Sequence, residues 1–488
     1  MDTQLKNKFH ITDIRKYNRC HRLYSLSRAN DTGRFAYYNI TEDICASVAA
    51  KLGIEKYVTG STNQTNEESL ELLKTSPWLF RGRFEACDLR IKVPLMYCAD
   101  SHAVLYSILL SGFINPEEFT ALRYEFEVLA KLGIAVDDMF IIHLNPDYVK
   151  KGKTDHQKLW KIADHYRENT ILEHVLSLDV DLEEITSQMR EYQEEQPVHN
   201  SKCYGRNRCQ FYETCFPEEN VTQDNSILTL VSSQYKRDMF ADGIRTLKDA
   251  DSSRLEGSRV QYAQIMADRN GGLYYEKLLL KQWLSQNVRY PLSFLDFEWD
   301  LYPIPPFEGM KPMDVSVFQY SLHVLKNGEL KHYQYVGEGD CRRQLVESML
   351  ASLPEEGSIF AYNAKGAEKI RISEFAGFFP EYADKLNSVN ARLVDLADPF
   401  ISGLVYDIRM RGSFTLKTIE EMVDRDHSYH DLDVSNGIEA VEIHRLLEAS
   451  DDLKDRETYF EQLYKYCGLD SYSLYKVLNW LQEITEDK

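Results

Sequence analysis

The sequence predicts a mixed α/β protein built from two or three domains. At 488 residues the chain is too long for one ordinary core. A composition of 43% hydrophobic and 27% charged residues with 14 prolines is globular rather than disordered. Alternating or continuous apolar runs, the mark of strands, interleave with longer segments of helical spacing.

Residues 1–220 form the first block. Ile11-Thr12-Asp13-Ile14-Arg15-Lys16-Tyr17 opens a helix with Thr12 as its cap, and that helix presents Cys20. Leu89–Val93 and Ala103–Leu110 read as strands, Phe119–Leu132 as a helix and Met139–Leu144 as a further strand. Residues 155–195 read as charged and helical. Residues 221–288 read as a helical connector in which a helix over Lys236–Leu247 stops at Gly243. The turn there either ends the helix or offers amides to a phosphate, as helix-hairpin-helix elements do. Residues 289–488 form the last block. Phe294–Glu298, Val317–Leu325 and Lys331–Tyr335 read as three strands, the last two joined by a turn at Asn327-Gly328. Helices and strands then alternate, with a short strand at Arg392–Leu396, up to a long final helix over roughly 457–484.

The net charge of −20 argues against a protein that coats long nucleic acid with a basic surface. Most of it lies late: residues 290–488 hold 20 Lys and Arg against 36 Asp and Glu. Such acidity suits metal chemistry and favours a short or single-stranded substrate over a long duplex. No run approaches the roughly 18 apolar residues of a membrane span. Met1-Asp2-Thr3-Gln4-Leu5-Lys6 lacks the apolar stretch of a signal peptide, so a cytoplasmic protein without membrane partners is expected. Nine cysteines, an odd number, fit reduced thiols rather than a disulfide framework.

In Phe294-Leu295-Asp296-Phe297-Glu298 the acids alternate with apolar residues, so a strand turns both acids to one side. A divalent cation bridging them answers their repulsion, and magnesium or manganese suits oxygen ligands. A solvated edge strand is the alternative. Far along the chain, Tyr466 and Asp470 stand one helical turn apart. Asp470 set against Asp296 and Glu298 gives three acids able to hold two Mg²⁺ or Mn²⁺ ions, with Tyr466 placed to orient an attacking water. Gly412-Ser413-Phe414-Thr415-Leu416-Lys417 either brings a hydroxyl and a cation to a scissile phosphate or is a glycine turn before a helix capped by Ser413. Gln319, Ser321 and His323 alternate on one strand and read as a buried, hydrogen-bonded polar row.

An early Asp-x-Glu with a late Tyr-x-x-x-Asp resembles the DnaQ-like 3′–5′ exonucleases of the DEDDy type, on an RNase H-like mixed sheet. The resemblance implies a fourth carboxylate after an Asn. In Tyr362-Asn363-Ala364-Lys365-Gly366-Ala367-Glu368 the candidate is Glu368, a Glu where that family uses Asp. Asp395 is the reserve, with a strand-end or helix-cap role as its alternative.

Cys203, Cys209 and Cys215 are each separated by five residues, and Cys20 is the natural fourth thiol. Four thiolates can close a zinc site or a 4Fe-4S cluster, and the lack of a Cys-x-x-Cys knuckle favours iron–sulfur, with reduced cysteines that meet by coincidence as the remaining alternative. Cys45, Cys87, Cys98, Cys341 and Cys467 read as small apolar fillers. One early cysteine and a later trio around an α/β core resemble the iron–sulfur RecB-like nucleases of the PD-(D/E)XK fold. Their active site is not repeated: Pro94 stands near the expected Asp, Ser107 and Leu109 replace Glu-x-Lys, and Glu125 and Glu127 occupy the helix that follows. Taken whole, the chain resembles bacterial fusions of an inactive RecB-like half with a DnaQ-like half. The resemblance implies a metal-dependent exonuclease acting on single-stranded or frayed DNA or RNA ends. An inactive nuclease-fold scaffold that binds nucleic acid and a phosphodiesterase for short oligonucleotides are the alternatives.

Overall fold

The computed structural model describes residues 8–30, 40–203, 208–219, 223–423, 434 and 436–486. The first six residues, read above for a leader, lie outside them. The protein is mixed α/β and divides into two units. The first is Met1–Glu218 with Tyr302–Asp314, the second Glu219–Leu301 with Val315–Lys488. Residues 221–288 fall in the second. Among the described residues no helix is long and apolar enough to cross a membrane.

The first unit is organised by a seven-stranded sheet. Six strands run in the order Val58–Thr59, Trp78–Ala86, Leu89–Ala99, His102–Leu109, Ala135–Leu144 and Trp160–Ala163, and Phe9–His10 pairs with Leu89–Ala99. The helix Glu117–Lys131 lays Phe119, Leu122, Val128 and Leu129 into the main core beside Leu79, Phe84, Ile91 and Val93. Four strands of this sheet escape sequence reading: the two-residue Phe9–His10 and Val58–Thr59, and the longer Trp78–Ala86 and Trp160–Ala163. Trp78–Ala86 hides because Arg81 has a φ of 53°, which breaks the alternation. Leu79 and Phe84 thus reach one core although an odd spacing should set them on opposite faces. Trp160–Ala163 lies inside the stretch expected to be helical, which in fact holds three helices, this strand and a small hairpin. Thr12 is not the cap of the first helix. Ile11–Arg19 starts two residues earlier than a Thr12 cap would allow, with His10 at the cap position, and the Asp13 carboxylate accepts the His10 amide at 2.9 Å. Cys20 separates that helix from the next, His21–Ala29.

In the second unit five strands run in the order Glu329–Val336, Asp314–Lys326, Leu292–Tyr302, Ile359–Ala361 and Leu393–Asp395. The first two are antiparallel and the last three parallel. Asn327 and Gly328, both at positive φ, make the expected hairpin turn. Helices cover both faces. Leu295 and Phe297 enter a core with Leu345, Val346, Met349 and Ile372. Phe294 packs on the other side with Leu474, Val477, Leu478 and Leu481 of the final helix, Leu453–Glu483. Asp296 and Glu298, in step with Phe294, therefore face the final helix.

That helix lies close to the sheet because its inner face is small. A Cβ on Gly468 would stand 3.2 Å from the His332 ring. Ser471 Oγ meets Ser321 Oγ at 2.6 Å and His323 Nδ1 at 2.8 Å, and Gln319 Nε2 donates to the Leu463 carbonyl at 2.8 Å. The expected polar row is thus buried and hydrogen-bonded. Burial, then the neighbouring His332, pushes His323 down to about 3. The unfolded chain takes up a proton on this ring near pH 6.5 and the folded chain does not. His323 thus lowers stability as pH falls from about 6.5 towards 3. His323→Asn keeps a hydrogen-bonding group and removes the titration. Its melting temperature should fall less between pH 6.5 and 5 than that of the parent in the same buffer, and equal falls would clear His323 of this role.

Candidate metal centre

Leu292–Tyr302 carries three acids on one face, Asp296, Glu298 and Asp300, and they meet different fates. Asp300 is buried and held by Arg445 of the helix Gly437–Ala449 through two bonds of 2.8 Å. Asp296 and Glu298 are gathered instead with Asp470 of the final helix. One oxygen from each lies within 4.8 Å of the other two. Among the described residues no other set of three acids, histidines or cysteines is this tight.

The repulsion shows in their protonation. Asp296 is held well above the usual carboxylate range by burial first, then by the charges of Asp470, Glu298 and Glu368. Glu298 is raised by burial and by Asp470, against a lowering from Lys417. Glu368 opens the helix Glu368–Phe378 after a turn in which Asn363 takes a φ of 55°. It is pushed up to about 8, mainly by burial, and its Oε2 is buried without a hydrogen-bond partner. Clustered carboxylates with an orphaned buried oxygen fit a hard divalent cation. The reserve candidate, Asp395, is tied into a turn, where its Oδ1 accepts the amides of Asn363 at 2.9 Å and Ala397 at 3.1 Å.

Tyr466 lies one turn before Asp470, buried, with the Lys417 Nζ 5.4 Å from its ring centre. Cys467, read above as a filler, does more than fill. Its thiol points at Asp296 Oδ2 from 3.3 Å. Gly437 stands beside Glu298, where a Cβ would be 3.5 Å from Oε2, so the positive end of the helix Gly437–Ala449 adjoins the acids. Ser413 does not cap the helix Leu416–Val423. The Thr418 amide bonds Thr415 Oγ1 at 3.3 Å, and Ser413 Oγ meets Thr418 Oγ1 at 2.9 Å. Lys417, on the first turn of that helix, is the residue of this motif that reaches the acids. The turn at Gly243 ends a helix over Lys236–Ala241.

In the first unit all four proposed thiols, Cys20, Cys203, Cys209 and Cys215, line one cavity of about 290 Å³ together with Tyr17, His21 and Tyr192. Burial raises the Cys215 thiol against a lowering from Arg22, and the nearby Cys209 and Cys20 add to the rise. All nine cysteines of the chain are free. Cys45, Cys98 and Cys341 are buried as expected, whereas Cys87 sits in a turn at φ 48°, partly buried against the main core. Pro94 lies within the strand Leu89–Ala99, and Ser107 and Leu109 lie on His102–Leu109. Glu125 is buried, its carboxyl raised by burial and by Glu118, and Glu127 pairs with Arg123.

Sequence reasoning offered Lys417 as the cation of its motif, but missed the contact of Cys467 with Asp296 and the Asp300–Arg445 pair. The third acid of the alternation was visible; its partner 145 positions away was not.

Residues 293–415 match a family described as a domain of unknown function, DUF2779. The match covers about a quarter of the chain, takes in Asp296, Glu298, Glu368 and Asp395, and ends before Tyr466 and Asp470. No curated protein and no solved structure matches the chain.

Proposed function

We propose that the second unit is a metal-dependent 3′–5′ exonuclease of the DnaQ-like, DEDDy type, acting on single-stranded or frayed ends of DNA or RNA in the cytoplasm. The observation that carries this reading is the convergence of Asp296, Glu298 and Asp470 from a strand and a distant helix into one group. A mixed five-stranded sheet with helices on both faces is compatible with the RNase H-like fold. Two bound Mg²⁺ or Mn²⁺ ions would supply an activated water and charge for the leaving oxygen. Asp296, Glu298 and Asp470 would hold them, with Glu368 as the fourth carboxylate. Cys467 fixes the rotamer of Asp296, Lys417 offsets the charge at Glu298, and Tyr466 would orient the water. Incubating 5′-labelled single strands with protein and Mn²⁺ should shorten them from the 3′ end. Full-length strands after prolonged incubation would remove the proposal.

The first unit, read as an inactive PD-(D/E)XK fold, would hold a 4Fe-4S cluster on Cys20, Cys203, Cys209 and Cys215, which line one cavity. The lack of a Cys-x-x-Cys knuckle favours the cluster over a zinc ion. Anaerobically purified protein should absorb near about 400 nm, and Cys20→Ser should bleach it. Colourless protein with stoichiometric zinc would reverse the choice.

A further inference from the structure

Arg83 and Lys92 are direct partners across the antiparallel strands Trp78–Ala86 and Leu89–Ala99. Their neighbours Phe84 and Ile91 enter the core on which the helix Glu117–Lys131 packs. Alternation therefore turns Arg83 and Lys92 to the opposite face, toward Cys45 of the helix Glu42–Leu52, whose thiol interacts with Lys92. Arg81 and Arg90 stand close enough to act on the pair. Lys92 is held below its ordinary value by burial, then by Arg83 and Arg81, and Arg83 by burial, then by Arg90 and Arg81.

The counter-charges on this face are already taken. Glu42 pairs with Arg81. Glu85 is shared between Lys8 at 3.0 Å and Arg90 at 3.5 Å. Arg90 also donates to the carbonyls of Thr62 and Gln64. Burial pushes the Cys45 thiol up to about 11, so it brings no charge at neutral pH. Among the described residues Arg83 and Lys92 have no ion pair, and the buried Nε atoms of Arg83 and Arg81 have no acceptor.

Like charges directly opposite on a sheet destabilise it, and half-buried cations are normally paired. Acids are not scarce in a chain of net charge −20, yet among the described residues none answers these two. We infer that Arg83 and Lys92 form a binding site for a backbone phosphate of a single-stranded nucleic acid. A guanidinium fork beside an ammonium matches the spread oxygens of a phosphate diester. That the phosphate belongs to a nucleic acid rests on the proposed function; the site itself rests on the unanswered charges.

The test uses the full chain in EDTA, so that binding is read without hydrolysis. The ligands are a fluorescent single-stranded 20-mer and, separately, inorganic phosphate. The combined variant Arg83→Gln, Lys92→Gln should bind the 20-mer about tenfold more weakly at low salt, with a salt slope shallower by about 0.7, one phosphate's worth. Without phosphate it should melt no lower than the parent at low salt, because a repulsion is gone. Phosphate should raise the melting temperature of the parent only. The charge-keeping variant Arg83→Lys, Lys92→Arg should retain affinity and slope. Unchanged 20-mer binding in the Gln variant, with its phosphate response lost, would overturn the nucleic-acid assignment in favour of free phosphate. A Gln variant that keeps both responses, or melts well below the parent, would overturn the site. So would loss of binding in the charge-keeping variant. An inactive second unit leaves all of these readings intact, so the two proposals fail separately.

Discussion

Asp296→Asn should reduce the release of nucleotides from 3′ ends by on the order of a thousandfold or more, since several kcal/mol of metal-borne stabilisation are lost. The same variant should fold at least as well as the parent without metal. Burial, Asp470, Glu298 and Glu368 together disfavour the charged form of Asp296, and a neutral amide keeps its shape while removing one of the repelling charges. Loss of activity with equal or higher metal-free melting is the combination expected of a metal ligand. Loss of activity with a collapsed melt would instead mark a structural acid. Activity equal to that of the parent would strike Asp296 from the site. Gel assays of end-labelled strands beside thermal melts in EDTA measure both quantities.

Removing divalent metal should make the protein less stable as pH rises. Glu368 titrates at about 8, and Asp296 and Glu298 well above the ordinary carboxylate range. Between roughly pH 4.5 and 8 the unfolded chain has released protons that the folded chain still holds. Folding then requires proton uptake, so metal-free stability falls as pH rises across that window, by a few kcal/mol for a group as buried as Glu368. Bound cations reverse the preference. At 100 times the dissociation constant, metal adds about 2.7 kcal/mol, or about 5 °C in melting temperature, and adds more at pH 8 than at pH 6. Melts of EDTA-treated protein with and without Mn²⁺ at the two pH values check this. A metal shift that is absent, or larger at pH 6, would mean that the acids bind no ion in their charged form.

Local pattern carried much of this into the sequence. The alternation in Phe294–Glu298 correctly divides the acids from Leu295 and Phe297, and the four-residue step from Tyr466 to Asp470 correctly sets both on one buried helix face. What stayed hidden depends on contacts between distant segments or on single backbone angles. Asp300 repeats the alternation of Asp296 and Glu298, yet an arginine on a later helix makes it an ion-paired residue instead of a member of the acid group. Cys467 has the composition of a filler and lies against a carboxylate only because Gly468 and Ser471 let its helix approach the sheet. Arg81 conceals a strand by taking a left-handed conformation in its middle. Arg83 and Lys92 look like ordinary solvated charges until strand register sets them face to face.

Manganese-soaked crystals, examined by anomalous scattering at the Mn edge, address the metal centre at the level of atoms. Two peaks about 4 Å apart, ligated by Asp296, Glu298, Glu368 and Asp470, are the expected result. No manganese at these carboxylates, with Asp470 turned away from the strand, would contradict it.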